Sequence, residues 1–124
     1  MTTADAGLSI AQVAESTGLT THTLRYYERA GLIGVIDRAS SSHRRYTEAD
    51  VNWVVFLTKL RATGMPIAQV REYTELVRRG DSTTAARMEL LLRHRIAVLA
   101  QLDEVTQSLA AIDQKIEIYK EKCN

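Results

Sequence analysis

His22, Arg25, Tyr26 and Arg29 stand at i, i+3, i+4 and i+7, so on a helix they form one stripe. The stripe presents imidazole, guanidinium and phenol groups, and no carboxylate; Glu28 falls off it. Such groups donate hydrogen bonds to phosphate oxygens and to base edges, which is the chemistry of reading a nucleic-acid duplex. The competing reading is an ordinary solvated helix face. The neighbouring charge alone leaves the two readings level. Between residues 22 and 46 lie Arg25, Arg29, Arg38, Arg44 and Arg45, with His22 and His43, against Glu28 and Asp37. The whole chain has a formal net charge of only +1. A local basic patch on a near-neutral chain suits a reader that depends on shape and a few contacts.

Other chemistries find little support. There is no nucleophile motif, no Gly-rich phosphate loop and no paired-ligand spacing, so no enzyme activity is expected. Cys123 is the single cysteine, and His22, His43 and His94 are spread along the chain. That set does not make a soft-ligand metal site, and no cofactor is expected. One thiol also cannot form an internal disulfide. Met1 to Gly7 is polar and short, and no run of about 18 apolar residues occurs. The expectation is a cytoplasmic protein with no membrane contact. A length of 124 residues, 45% hydrophobic and 25% charged, fits one compact domain plus one extended element.

The elements that must position the stripe follow from caps and periodicity. Ser9-Ile10-Ala11-Gln12 reads as a capping box, and Ile10, Val13 and Ala14 share a face, so a short helix runs to about Ser16. Gly18 supplies the turn. Thr20 or Thr21 caps a second helix to about Arg29, with Leu24 and Tyr27 placed to pack inward. Two short helices around a Gly-containing turn make a helix-turn-helix. Beyond Gly34, Val35-Ile36 can begin a strand and Arg44-Arg45-Tyr46 can return, with a serine-rich tip between them. This reads as a wing, and only one of Arg44 and Arg45 is expected to face the DNA backbone fully. Thr47 to Asp50 caps a third helix, apolar nearly all round and therefore expected to be core, ending at Thr63-Gly64. Pro66 opens a fourth helix, apolar at Ile67, Val70, Tyr73, Leu76 and Val77, which Arg78-Arg79-Gly80 closes.

Asp81-Ser82 can cap a last helix running to about Lys120, about 57 Å long. Val98, Leu102, Val105, Leu109, Ile112, Ile116 and Tyr119 alternate steps of four and three, so they form a heptad seam. A helix of this length with one narrow apolar stripe needs a partner, and a second copy is the simplest one. The expected fold class is all-α with a small β wing. A winged helix-turn-helix domain spans residues 8–80, and a dimerisation helix spans 81–121 and forms an antiparallel coiled coil.

The order of these elements, with four motifs, resembles the MerR family of bacterial regulators. The motifs are Ser9 to Ala14, Thr23 to Ile33, Arg44-Arg45-Tyr46-Thr47, and Thr63-Gly64-Met65-Pro66-Ile67. The second is highly specific. The resemblance implies a homodimer on a pseudo-palindrome, lying between promoter elements spaced too far apart for RNA polymerase. The dimer then bends and untwists the DNA to bring those elements into phase. It implies that Tyr26, and Arg44 or Arg45, touch the DNA backbone, and it places Arg61 and the corner at Met65-Pro66 over the outer backbone. The candidate contact set is therefore Thr21, His22, Arg25, Tyr26, Tyr27, Arg44, Arg45, Tyr46 and Arg61.

Within the family the chain is most similar to the small-aldehyde and nitrosative-stress subgroup, by its short C-terminus, the Gly80-Asp81-x-Thr83 join and the Lys115 to Tyr119 spacing. It departs from that subgroup at Lys59, where members carry a cysteine, so thiol sensing there is excluded. Cys123 is expected to be exposed and incidental. Two other readings remain: a DNA-bending protein of this fold that answers to no signal, and a coiled-coil adaptor that binds another protein. Transcription with purified polymerase and no effector separates the first; loss of a low-salt gel shift would favour the second. The residues name no operator, target gene or effector, nor the sign of regulation.

Overall fold

The computed structural model describes residues 7–33, 37–38 and 44–124. The chain divides into two compact units, Met1–Thr84 and Ala85–Asn124. Among the described residues the fold is helical apart from one two-stranded ribbon. In order these elements are α1 (Ile10–Thr17), α2 (Thr21–Arg29), β1 (Asp37–Arg38), β2 (Arg44–Arg45), α3 (Glu48–Ala62), α4 (Ile67–Arg78), a 3-10 turn (Asp81–Thr83) and α5 (Thr84–Cys123).

The first three helices carry the caps their sequences offer, whereas α4 has no side-chain cap and Asp81-Ser82, expected to cap the last helix, instead begins a 3-10 turn that ends before α5 starts at Thr84. At α1 the Ser9 amide donates to Gln12 Oε1 at 2.8 Å, and the Gln12 amide donates to Ser9 Oγ at 3.2 Å. Thr20 caps α2 by accepting from the Thr23 amide at 3.0 Å. Thr47 and Asp50 form a second reciprocal capping box at α3. Between α1 and α2 the chain turns at Gly18, whose φ of 78° is in the left-handed region that glycine enters without a Cβ clash.

The core of the first unit is one set of buried side chains drawn from all four of its helices. Val13 of α1, Leu24 of α2, Leu32, Val54 and Leu57 of α3, Met65 and Val70 of α4 are fully buried. Helix α3 is less enveloped than its composition suggests. Val54, Leu57 and Leu60 are buried, whereas Val55 is exposed and Val51, Trp53 and Phe56 are half-buried. Trp53 and Phe56 find a partner in Tyr73 of α4. Trp53 stacks on it at 5.8 Å and 9°, and Phe56 tilts against it at 5.9 Å and 54°. Such ring pairs contribute about 0.5–1.5 kcal/mol beyond area burial.

The ribbon pairs antiparallel, Asp37 with Arg45 and Arg38 with Arg44. Val35 and Ile36, where the sequence places the first strand, and the tip at 39–43 lie outside the described residues. The ribbon is extended by a bridge the sequence does not announce. Leu8 and Tyr46 exchange two backbone hydrogen bonds of 2.8 Å, joining the chain before α1 to the end of the wing.

The second unit is a single helix of 40 residues, about 60 Å long. It is preceded by Thr83, whose hydroxyl donates to the carbonyls of Leu76 and Gly80. Of the heptad seam, Val98 is half-buried, and Leu102, Val105, Leu109, Ile112, Ile116 and Tyr119 are all exposed. The Cys123 thiol at its end is also exposed, as expected.

Candidate nucleic-acid interface

The candidate stripe is assembled by α2. Leu24 and Tyr27 point into the core, and that turns His22, Arg25, Tyr26 and Arg29 outward. All four are exposed, Tyr26 at 40%; Thr21 is half-buried at the helix start. A face of three nitrogenous donors and one phenol is thus free to meet an acidic, hydrogen-bond-accepting surface.

Two residues of the candidate set are placed otherwise by the structure. Tyr27 is 7% exposed and Tyr46 is 0% exposed, so both pack in the core. Tyr27 is turned in because it lies one turn from Leu24 on the inward line. Tyr46 is turned in because it sits in the ribbon between its Leu8 bridge and α2. Its hydroxyl donates to Glu28 Oε2 at 3.0 Å. That contact ties the wing to the reading helix. It also holds the one carboxylate of α2 against an internal donor, away from the stripe, where a negative charge would repel phosphate.

Arg44 and Arg45 form β2, directly before that anchor. At the corner between α3 and α4, Arg61 is exposed, and its Nη1 donates to the Met65 carbonyl at 2.6 Å. The same corner closes with backbone bonds from Met65 to Leu60 and from Gly64 to Arg61. A structural part for Arg61 in this turn is therefore evident. Helix α4 begins at Pro66 with no side-chain cap, which leaves its first amides open to an outside acceptor.

Sequence reasoning missed the contacts that hold the far end of α2. Trp53 Nε1 donates to the Leu32 carbonyl at 2.7 Å, Arg78 Nη2 to that of Gly31 at 2.8 Å, and Arg71 Nε to that of Ala30 at 3.3 Å. The sequence expectation for Arg78 was a charge at the end of its own helix; it also reaches a carbonyl 47 residues away. No local pattern reports such a contact. The one usable signal is that Arg71 and Arg78 are seven apart and so share a face of α4. Among the described residues no cluster of His, Cys, Asp or Glu could hold a metal ion, and no helix is long and apolar enough to cross a membrane.

Comparison with known proteins fits this geometry. The family model for MerR helix-turn-helix regulatory proteins matches residues 8–76, and the MerR DNA-binding model matches residues 51–116. The regulator AdhR of Bacillus subtilis is 46% identical over 88 residues, 71% of this chain and 63% of AdhR, a little under two thirds of its length. A MerR-family regulator of Listeria monocytogenes has a crystal structure with a TM-score of 0.87 at 36% identity, covering 92% of this chain and 86% of that one. HiNmlR, a MerR-family regulator lacking the sensor domain, was solved bound to promoter DNA. It aligns with a TM-score of 0.83 at 29% identity, over 91% of this chain and 90% of its own. A helix-turn-helix with an exposed basic stripe, a ribbon behind it and a long terminal helix, matched over most of its length, makes this chain a member of the MerR family of DNA-binding transcriptional regulators.

Proposed function

We propose that this regulator binds promoter DNA as a homodimer and distorts an over-long promoter spacer to control transcription by RNA polymerase in the cytoplasm. The observation that carries the reading is the α5 seam. Six successive seam side chains, from Leu102 to Tyr119, are between 45% and 64% exposed in a single chain. Each such Leu, Ile or Val contributes roughly 1.5–3 kcal/mol when buried, before the costs of ordering and association. A second copy running antiparallel would cover all of them at once. It would also present two copies of the α2 stripe to two half-sites of a pseudo-palindrome, about one helical turn apart. HiNmlR on its promoter DNA supports duplex DNA as the partner.

Within each half, Arg25 reaches a base edge or neighbouring phosphate, His22 and Thr21 flank it, and Tyr26 with Arg44 or Arg45 holds the backbone. Footprinting on DNA beside the protein's own gene tests this, together with the length of the promoter spacer there and sedimentation equilibrium of the free protein. A protected site within an over-long spacer and a dimer at micromolar concentration are expected. A stable folded monomer, or protection outside any promoter, would overturn the reading.

A further inference from the structure

We propose that Trp53, Arg71 and Arg78 form a clasp on three successive carbonyls at the exit of α2, and that they are positioning residues for DNA reading. The inference rests on α2 being the reading helix. Helix α2 is nine residues long and is held inward by Leu24 and Tyr27, one turn apart. These contacts, with the Tyr46 hydroxyl on Glu28, resist sliding but leave the helix some freedom to roll. A roll would swing the His22, Arg25, Tyr26 and Arg29 stripe across the groove, and hydrogen bonds weaken steeply when their angles open.

The exit removes this freedom. Gly31 has φ of 78°, and the Leu32 amide donates to the Tyr27 carbonyl at 2.9 Å, the Gly31 amide to that of Glu28 at 3.1 Å. This Schellman closure employs the amides and leaves the carbonyls of Ala30, Gly31 and Leu32 for other donors. Those donors come from α3 and α4, and two of them are themselves oriented. The Trp53 ring is stacked on Tyr73, and Arg78 Nη1 meets Glu75 Oε1 at 3.5 Å. Together with the Glu28–Tyr46 bond, these three points restrain the roll. The stripe therefore takes its angle from α3 and α4, through three residues that lie outside the candidate contact set.

The test uses a duplex that the wild-type protein selects from a random-sequence library, and a shuffled duplex of the same composition. Wild type, Arg71→Met, Arg78→Met, the double variant, Arg78→Lys and Arg25→Ala are compared at a temperature where circular dichroism shows all of them folded. Each single Met variant should weaken binding to the selected duplex about five-fold, the equivalent of one hydrogen bond, and the double variant about 10- to 30-fold. Arg78→Lys should recover most of its loss, since an ammonium still reaches one carbonyl. Affinity for the shuffled duplex and the salt slope should not change, because neither arginine neutralises a phosphate. Arg71 and Arg78 are exposed, so their replacement leaves the core intact; if the double variant did not fold, the single variants and Arg78→Lys make the same comparison.

Unchanged specific affinity in the Met variants, beside a weakened Arg25→Ala, would overturn the clasp. Equal losses on both duplexes, or a lower salt slope, would overturn it too and make these arginines phosphate contacts. If Arg25→Ala also bound like wild type, α2 would not be the reader, and the clasp would fall with that reading.

Discussion

The first unit and the long helix treat apolar surface in opposite ways. In Met1–Thr84, α1, α2, α3 and α4 each turn a face inward, and Leu24, Leu57, Met65 and Val70 are sealed by neighbours from other parts of the same chain. In Ala85–Asn124, Leu102, Val105, Leu109, Ile112 and Ile116 are each about half exposed. Helix α5 owes its regularity to 40 residues of Pro- and Gly-free sequence, and its apolar seam remains to be covered from outside. The first unit is thus stabilised within one chain, while in the proposed dimer the stability of the second would depend on concentration. Substitutions in the two should fail in different ways.

The largest effect is expected from Leu109→Asp, at the centre of the seam. Two carboxylates would be buried near a two-fold axis or forced apart. The variant should sediment as a monomer or unfold, and should lose specific DNA binding with dimerisation; a dimer that still binds would remove the contrast between the units. Leu57→Ala, in the sealed core of α3, should cost about 2–5 kcal/mol, the range for a buried Leu replaced by Ala. Thermal melts over a range of protein concentrations separate the two, because Leu57→Ala should lower the midpoint by much the same amount at every concentration.

Smaller effects sharpen the comparison within the first unit, between its core and its exposed stripe. Arg25→Ala should weaken operator binding by about 1–3 kcal/mol if it grips a base with two bonds. Its circular dichroism should be unchanged, since the side chain is exposed; an altered spectrum would assign Arg25 to the fold. Tyr26→Phe removes one hydroxyl and keeps the ring against Tyr27, 6.0 Å away. It should cost about 1 kcal/mol of binding, measured by titration at fixed salt. Arg61→Ala should lower the salt slope of binding by about one unit if it meets a phosphate. An unchanged slope would leave Arg61 with its hydrogen bond to the Met65 carbonyl alone.

Most of the elements and the stripe could be read without coordinates, and for a local reason. Capping boxes at Ser9 and Thr47, the turn at Gly18 and the step of three and four in α2 and α5 all act over fewer than eight residues. A chain segment carries that information wherever it lies. What tertiary structure decided was the fate of residues whose partners are distant in sequence. Tyr46 has the composition of a contact residue but is buried, because its hydroxyl meets Glu28, 18 residues earlier, and its backbone pairs with Leu8. Trp53, Arg71 and Arg78 look like surface and core residues of their own helices, yet each donates across the fold to the exit of α2. Periodicity assigns a side chain to a face; which neighbour that face meets is set by how the helices pack.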